Sequence, residues 1–258
     1  MENLLRFGRS CFAISIAFFG AQYLLYGHFE GGVPLVPPWT PGAPALAYVL
    51  GTALILLALS IATLWKARYA AISLGTLLLL SFLFLHCLHA SSILHNGTDR
   101  TRAFECLTLS AIAFTVAGIL PYGRNASTQG TAANWPLLLG RFLFAVSMVV
   151  FGAQHFMYAG FIATLIPAWI PFHLFWVYLT GTGMIVAGLS IATGILAPLA
   201  SRGLGMMFLL WLLLLHAPRV AASPRNGDEW TSAFVALAVS GGSFLLASTF
   251  CNSKRHSI

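Results

Sequence analysis

Charged residues are scarce in this sequence. Asp, Glu, Lys and Arg together make up 7% of the 258 residues, whereas an ordinary soluble domain carries about 25%. Acidic residues are the rarest group, with 6 Asp and Glu against 13 Lys and Arg. Because 59% of the chain is hydrophobic, most side chains must face lipid or each other. The composition therefore excludes an ordinary soluble protein.

Motifs with a well-defined chemistry are also missing. The sequence has no HExxH zinc motif, no Walker loop, no CxxC pair and no cluster of Cys and His. No run of Lys or Arg alternates with aromatic residues as a nucleic-acid groove requires. We therefore predict no metal site and no nucleic-acid partner. The cysteines are expected to be free thiols, with Cys87 and Cys106 as the one alternative pair.

Long apolar runs are what the sequence does contain. A helix needs about 20 apolar residues to cross the hydrocarbon of a bilayer. The candidate spans are 9–29, 45–65, 69–90, 103–121, 136–159, 172–197, 203–217 and 231–251. The seventh is short, and it becomes long enough if it begins near Leu199 or continues past His216. The first run is too long for a cleavable signal peptide and should remain as a span. We predict an all-α polytopic membrane protein with eight transmembrane helices.

Basic residues in the connecting segments predict the orientation of the chain. Eight of them lie with the two termini on one side, and four lie on the other side: Arg100, Arg102, Arg219 and Arg225. The positive-inside rule then places both termini in the cytoplasm. For a bacterial protein, this means a multi-pass protein of the inner membrane.

A reporter fused to the C-terminus tests this orientation. We expect a reporter that is active in the cytoplasm to be active there, because the C-terminus carries Lys254 and Arg255. Reporter activity on the periplasmic side would contradict the orientation.

The sequence also matches itself. With a shift of 132 residues, Phe19-Gly20-Ala21-Gln22 matches Phe151-Gly152-Ala153-Gln154. With a shift of 130, Leu59-Ser60-Ile61-Ala62-Thr63 matches Leu189-Ser190-Ile191-Ala192-Thr193. This similarity predicts a first four-helix repeat over 1–122, a cytoplasmic linker over 123–134 and a second repeat over 135–258. Each repeat has an even number of spans, so we expect two parallel four-helix bundles.

Ionisable side chains gather at the membrane face opposite the termini. Such residues are costly at membrane depth and indicate a functional site. The candidate catalytic residues are His155, His216 and Arg219. The candidate binding residues are Gln154, Trp169, Tyr178, Asn226, Asp228 and Glu229. Their counterparts in the first half are Gln22, Trp39, His86, His89 and Asp99.

Three interpretations of these polar residues stay open. Groups at helix ends can reach headgroup water, with Trp39 and Trp169 in the aromatic belt. The charges can instead fasten the outer loops, for example by pairing Arg225 with Asp228. They can also line an outward-opening pocket, where a histidine moves protons and an arginine holds an anionic or quinone carbonyl group.

Haem is a further alternative, because His86 and His216 occupy equivalent positions and two imidazoles can ligate haem iron. Against it, the first span has Tyr23 where the fifth has His155.

Four segments of the second half follow a known pattern. They are Arg141-Phe142-Leu143-Phe144, Phe151-Gly152-Ala153-Gln154-His155-Phe156, Leu165-Ile166-Pro167-Ala168-Trp169-Ile170-Pro171 and Phe175-Trp176-Val177-Tyr178-Leu179-Thr180-Gly181. In these segments the chain resembles the DoxX-like membrane protein family, whose members look like single four-helix units. The resemblance implies a link to quinone-linked sulfur oxidation and to redox-stress complexes of the bacterial envelope. It therefore implies a quinone as ligand and redox protein subunits as partners.

The predicted function is thus a redox-associated, quinone-linked membrane subunit with a small-molecule pocket at the outer face. Whether this subunit is itself an enzyme stays open. One alternative is a small-molecule membrane transporter, with its path between the two halves. Another is a non-catalytic assembly subunit or a haem-binding membrane protein.

Overall fold

A computed structural model describes residues 2–27, 44–120 and 134–253, and these residues form helices and no strand. In this part of the chain, eight helices are long and apolar enough to cross a membrane. The α-helices of these spans are α1 (Glu2–Tyr26), α2 (Pro44–Thr63), α3 (Ala67–Ser81), α4 (Gly97–Ile119), α5 (Trp135–Met157), α6 (His173–Thr193), α7 (Ala197–Trp211) and α8 (Gly227–Ser253). The third and seventh spans continue beyond α3 and α7, to His86 and Ala222. The prediction of an all-α polytopic membrane protein is confirmed. Because the number of spans is even, α1 begins and α8 ends on one side, and we call the opposite side the far face.

Both α3 and α7 change helix type as they approach the far face. Each continues directly into a π-helical turn, Phe82–His86 after α3 and Leu212–His216 after α7. A further short helix, Ala217–Ala222, follows the second turn. The seventh span therefore covers Ala197–Ala222, so it is extended at both ends of the short apolar run. Such π turns are rare and are often found at functional sites.

The polar residues expected in two outer loops belong to helices instead. The Asn96 side chain accepts hydrogen bonds from the backbone N–H groups of Thr98 and Asp99, at 2.9 and 3.4 Å. Asn226 accepts one from the Asp228 N–H at 3.0 Å. These caps start α4 and α8 earlier than the predicted 103 and 231, which were wrong because a hydropathy pattern ignores capping. The acids of the first turns lie where the helix dipole favours negative charge.

The helices form a ring. Each span contacts the next one along the chain, α8 returns to contact α1, and α4 touches α8 across the ring. Most of the residues of α4 and α8 are buried, so these two helices form the centre. The halves therefore meet through α1 with α8, α5 with α4, and α4 with α8.

The two peripheral contacts between the halves are built alike. Where α1 meets α8, a Cβ placed on Gly8 would lie 2.5 Å from the Gly241 carbonyl oxygen. Where α5 meets α4, a Cβ placed on Gly140 would lie 2.6 Å from the Ala111 carbonyl oxygen. The sequence shifts pair Gly8 with Gly140 and Gly241 with Ala111. Small residues thus let the first span of each half approach the last span of the other.

Contacts inside the halves also correspond. Ser110 Oγ of α4 donates to the Gly75 carbonyl of α3 at 2.8 Å, and Ser240 Oγ of α8 donates to the Gly205 carbonyl of α7 at 2.8 Å. Ser240 lies 130 positions after Ser110, and Gly205 lies 130 positions after Gly75. A duplicated unit would have such matching contacts, and the duplication itself stays a prediction.

Candidate functional site

Three of the candidate residues come together where α7 gives way to α8, at the far face. Arg219 Nη2 donates to Glu229 Oε1 at 2.8 Å, and the two side chains are 33% and 16% exposed. His216 ends the π turn and lies close enough to both charges to interact with them electrostatically. We call His216, Arg219 and Glu229 the α7–α8 polar cluster.

Some polar atoms of the α7–α8 polar cluster make no hydrogen bond within the described part of the chain. In the described part of the chain, His216 Nδ1 and Glu229 Oε2 are buried and have no hydrogen-bond partner. Leaving a buried polar atom unpaired costs about 1–3 kcal/mol, and more for a charged group. A ligand that bonds to these atoms would recover that energy. The cluster is therefore the best candidate for a binding site.

The π turn changes the direction of His216 relative to Trp211. Five residues of α-helix turn through about 500°, which would put Trp211 and His216 on different faces. The wider π turn, closed by a hydrogen bond from the Ala217 N–H to the Leu212 carbonyl, brings His216 closer to the face that carries Trp211. The indole of Trp211 in turn stacks on His155 of α5.

His155 is held in one orientation. Its ring lies 5.6 Å from that of Trp211, at an angle of 19°. Its Nδ1 lies 2.8 Å from the Phe151 carbonyl oxygen. A carbonyl only accepts hydrogen bonds, so Nδ1 carries the proton and Nε2 is left as the acceptor in the neutral ring. His155 can therefore accept a proton at Nε2.

The first half has different chemistry at the matching positions. Tyr23 stands where the second half has His155, and Ser81 stands where it has Trp211. His86 ends the first π turn and is only 4% exposed. Asp99 occupies the position of Glu229, and His89 occupies that of Arg219. Trp39 and the side chain of His89 lie outside the described residues.

An apolar cavity of about 240 Å³ opens between α2 and α3 in the first half. Its lining consists of Leu50, Leu77, Leu78, Leu80, Ser81, Phe84 and Leu85. Ser81 is the only polar side chain among these, and it replaces the large indole found in the second half. The cavity thus lies away from the α7–α8 polar cluster.

Both glutamines join the two halves. Gln22 Nε2 donates to Thr231 Oγ1 at 3.0 Å and to the Gly227 carbonyl at 3.2 Å, so it links α1 to α8. Thr101 Oγ1 donates to Gln154 Oε1 at 3.0 Å and links α4 to α5. Sequence reasoning missed these threonines, although each follows an Asn-Gly pair at the same distance.

The remaining candidates lie at the rim. Trp169 is 68% exposed, as the aromatic belt would require. Tyr178 is exposed as well, and its ring stacks on Phe156 at 5.5 Å. Asn226 caps α8, and the Asp228 side chain is exposed beside it.

Tyr158 was not predicted from the sequence. Arg100 donates to its hydroxyl and lies 5.4 Å from its ring centre. The contact fastens the end of α5 to the start of α4.

Among the described residues, no three of His, Cys, Asp and Glu come together as metal ligands. Cys11, Cys87 and Cys106 are free thiols, as predicted. No protein-family model, curated protein or solved structure matches this chain.

Proposed function

We propose that the protein is a DoxX-like, redox-associated membrane subunit that binds a quinone at the α7–α8 polar cluster. The observation that carries this proposal is the pair of unpartnered buried atoms, His216 Nδ1 and Glu229 Oε2, beside the half-buried Arg219. A quinone has carbonyl oxygens that accept hydrogen bonds, and its reduced form has hydroxyl groups that donate them. The cluster offers donors and acceptors together, so it suits either form.

Each residue of the cluster then has a task. Arg219 has five N–H donors, and those not used for Glu229 are available for a quinone carbonyl. His216 exchanges the proton that accompanies quinone reduction, because the nitrogens of a neutral imidazole can both donate and accept a proton. His155 is the second proton-accepting group. The electrons come from a partner redox protein.

Lipid-soluble ligands can reach the cluster from the bilayer. Leu213 and Leu214 of the π turn are exposed on the outside of the ring. An isoprenoid tail can lie along these leucines while the polar headgroup enters between α7 and α8. The apolar surface of these leucines would not favour the binding of a water-soluble ligand.

Quinone binding can be measured with the purified full-length protein in nanodiscs and a short-chain ubiquinone analogue. We expect Arg219→Gln and His216→Ala each to raise the Kd at least tenfold. Tenfold corresponds to about 1.4 kcal/mol, which is close to the value of one hydrogen bond to a charged group, about 1.5–3 kcal/mol. His173→Ala is the control, because His173 starts α6 outside the cluster, and its Kd should not change.

Two results would contradict the proposal. One is a wild-type protein that binds no quinone analogue. The other is a pair of cluster variants that bind the analogue as tightly as the control does.

Transport of a small molecule between the halves is a second candidate. The observation in its favour is Glu105, an acid inside α4 at the centre of the ring. A flux assay in liposomes separates the two functions, because a quinone-binding subunit moves no water-soluble solute.

A further inference from the structure

Glu105 is an acidic residue inside a membrane-spanning helix. It lies eight residues beyond Gly97, where α4 begins, and this is about 12 Å along the helix axis at 1.5 Å per residue. It lies within the fourth apolar run, 103–121, and was not among the candidate site residues. Ionisable groups at membrane depth are costly and usually serve a function.

The neighbours of α4 show where Glu105 points. Ile112 contacts α8, since a Cβ placed on Gly242 would lie 2.4 Å from Ile112 Cγ1. Residues seven apart on a helix share a face, so Glu105 lies two turns from Ile112 on the side of α8. One turn towards the far face, Thr101 bonds to Gln154 of α5. Glu105 therefore lies between the sides of α4 that meet α5 and α8.

The Glu105 carboxylate is poorly paired. No hydrogen bond or ion pair joins it to another residue of the described chain, and the charge that acts on it is Arg102. Gln154 is 6% exposed, and its Nε2 also has no hydrogen-bond partner in that part of the chain. The acid therefore lies one helical turn along α4 from Thr101, which binds the glutamine that carries the unused donor.

The helices packed against α4 bring no other formal charge to this level, and their titratable groups towards the far face are His86, after α3, and His155, on α5. From Trp230 to Phe250, α8 has no charged residue. On α5, Arg141 is bound to the Ile191 carbonyl near the opposite face, at 2.6 Å. On α3, Arg68 is bound to the Ala117 and Leu120 carbonyls, which lie at the end of α4 opposite the far face and away from Glu105.

The matching place in the second half is filled with apolar groups. Val235 stands at the position of Glu105, and Trp230 stands at that of Arg100. There Phe18 stacks on Phe234 with ring centres 3.8 Å apart, and Trp230 lies 5.9 Å from Phe18. Packing at this position therefore needs no acid.

We infer that Glu105, which is partly exposed, is a proton-binding site inside the membrane-spanning part of α4. The carboxylate takes up one proton to become a carboxylic acid and later releases it, with no other reactant. Calcium and magnesium require about six oxygen ligands, whereas this place offers one carboxylate and one amide. The inference does not depend on quinone binding, because it concerns a different helix contact.

Dicyclohexylcarbodiimide provides the test, since it enters bilayers and reacts with protonated carboxyl groups. The full-length protein in nanodiscs is labelled at several pH values, digested and analysed by mass spectrometry. We expect Glu105 to be labelled at least tenfold faster than Glu229, whose carboxylate lies 2.8 Å from Arg219 in an ion pair. The rate at Glu105 should fall at least threefold between pH 6 and pH 9. Glu105→Gln should remove this label and leave that at Glu229 unchanged.

The Arg102→Gln variant keeps the Glu105 carboxyl group and tests its protonation independently. Removing the positive charge favours the protonated form, so the labelling rate at Glu105 should rise at a fixed pH. Labelling of Glu105 no faster than that of Glu229, a rate that does not change with pH, or protection by sodium ions would overturn the inference. An unchanged or slower rate in Arg102→Gln would also count against it.

Discussion

Gly152→Leu is expected to destabilise the second half strongly. A Cβ placed on Gly152 would lie 2.6 Å from the Gly181 carbonyl oxygen and 2.6 Å from Ile185 Cγ1. The backbone of α6 cannot yield locally, so a leucine must push α5 and α6 apart. We expect a loss of at least about 3 kcal/mol, the upper end of the cost of overpacking, measured as the free energy of unfolding in a detergent titration.

Gly183→Leu is the matched control on the neighbouring helix. No atom lies within 4 Å of a Cβ placed on Gly183, so its leucine would point into lipid. We expect a change within about 0.5 kcal/mol, as for an ordinary surface substitution. An equal loss in both variants would contradict the close approach of α5 and α6.

Arg219→Leu is expected to destabilise the protein by about 2–3 kcal/mol, because it leaves the mostly buried Glu229 without its partner. Glu229→Leu should cost a similar amount for the same reason. The double variant should recover most of the loss, since two apolar side chains of adequate size often replace a buried ion pair at little cost. The measurement is a double-mutant cycle on the free energy of unfolding.

The exposed pair formed by Arg6 and Glu2 serves as the control for this cycle. Both side chains are largely exposed, and such surface pairs contribute little. Their cycle should show no measurable coupling. If the Arg219 and Glu229 cycle also gave none, the α7–α8 polar cluster would be as solvated as this surface pair, and the basis for a ligand site there would disappear.

The sequence was sufficient to predict the eight spans and the polar end of α7. Apolar length is a local property, and His216 and Arg219 follow a single run that ends at the far face. Glu229 was also predictable as a neighbour, because the connection between α7 and α8 is short. These features depend on residues close together in the chain.

Other features depended on information that a single sequence does not display. The bond from Gln22 to Thr231 spans 209 residues, and no spacing rule connects them. The stacking of His155 on Trp211 also depends on helix packing, and hydrophobic periodicity does not reveal the π turn that follows. Glu105 was not singled out from the sequence, because the pattern could not show that α4 begins at Gly97 and so how deep in the helix this acid lies.

The first span of each half packs against the last span of the other half, and this affects what one polypeptide can encode. A symmetric dimer made from identical four-helix subunits must place the same residue at both contacts. Here one contact carries Glu105 and Arg102, while the other carries Val235 and an aromatic stack. Covalent linkage keeps the two unlike partners in a ratio of one to one. In a single chain, either contact can therefore change without altering the other.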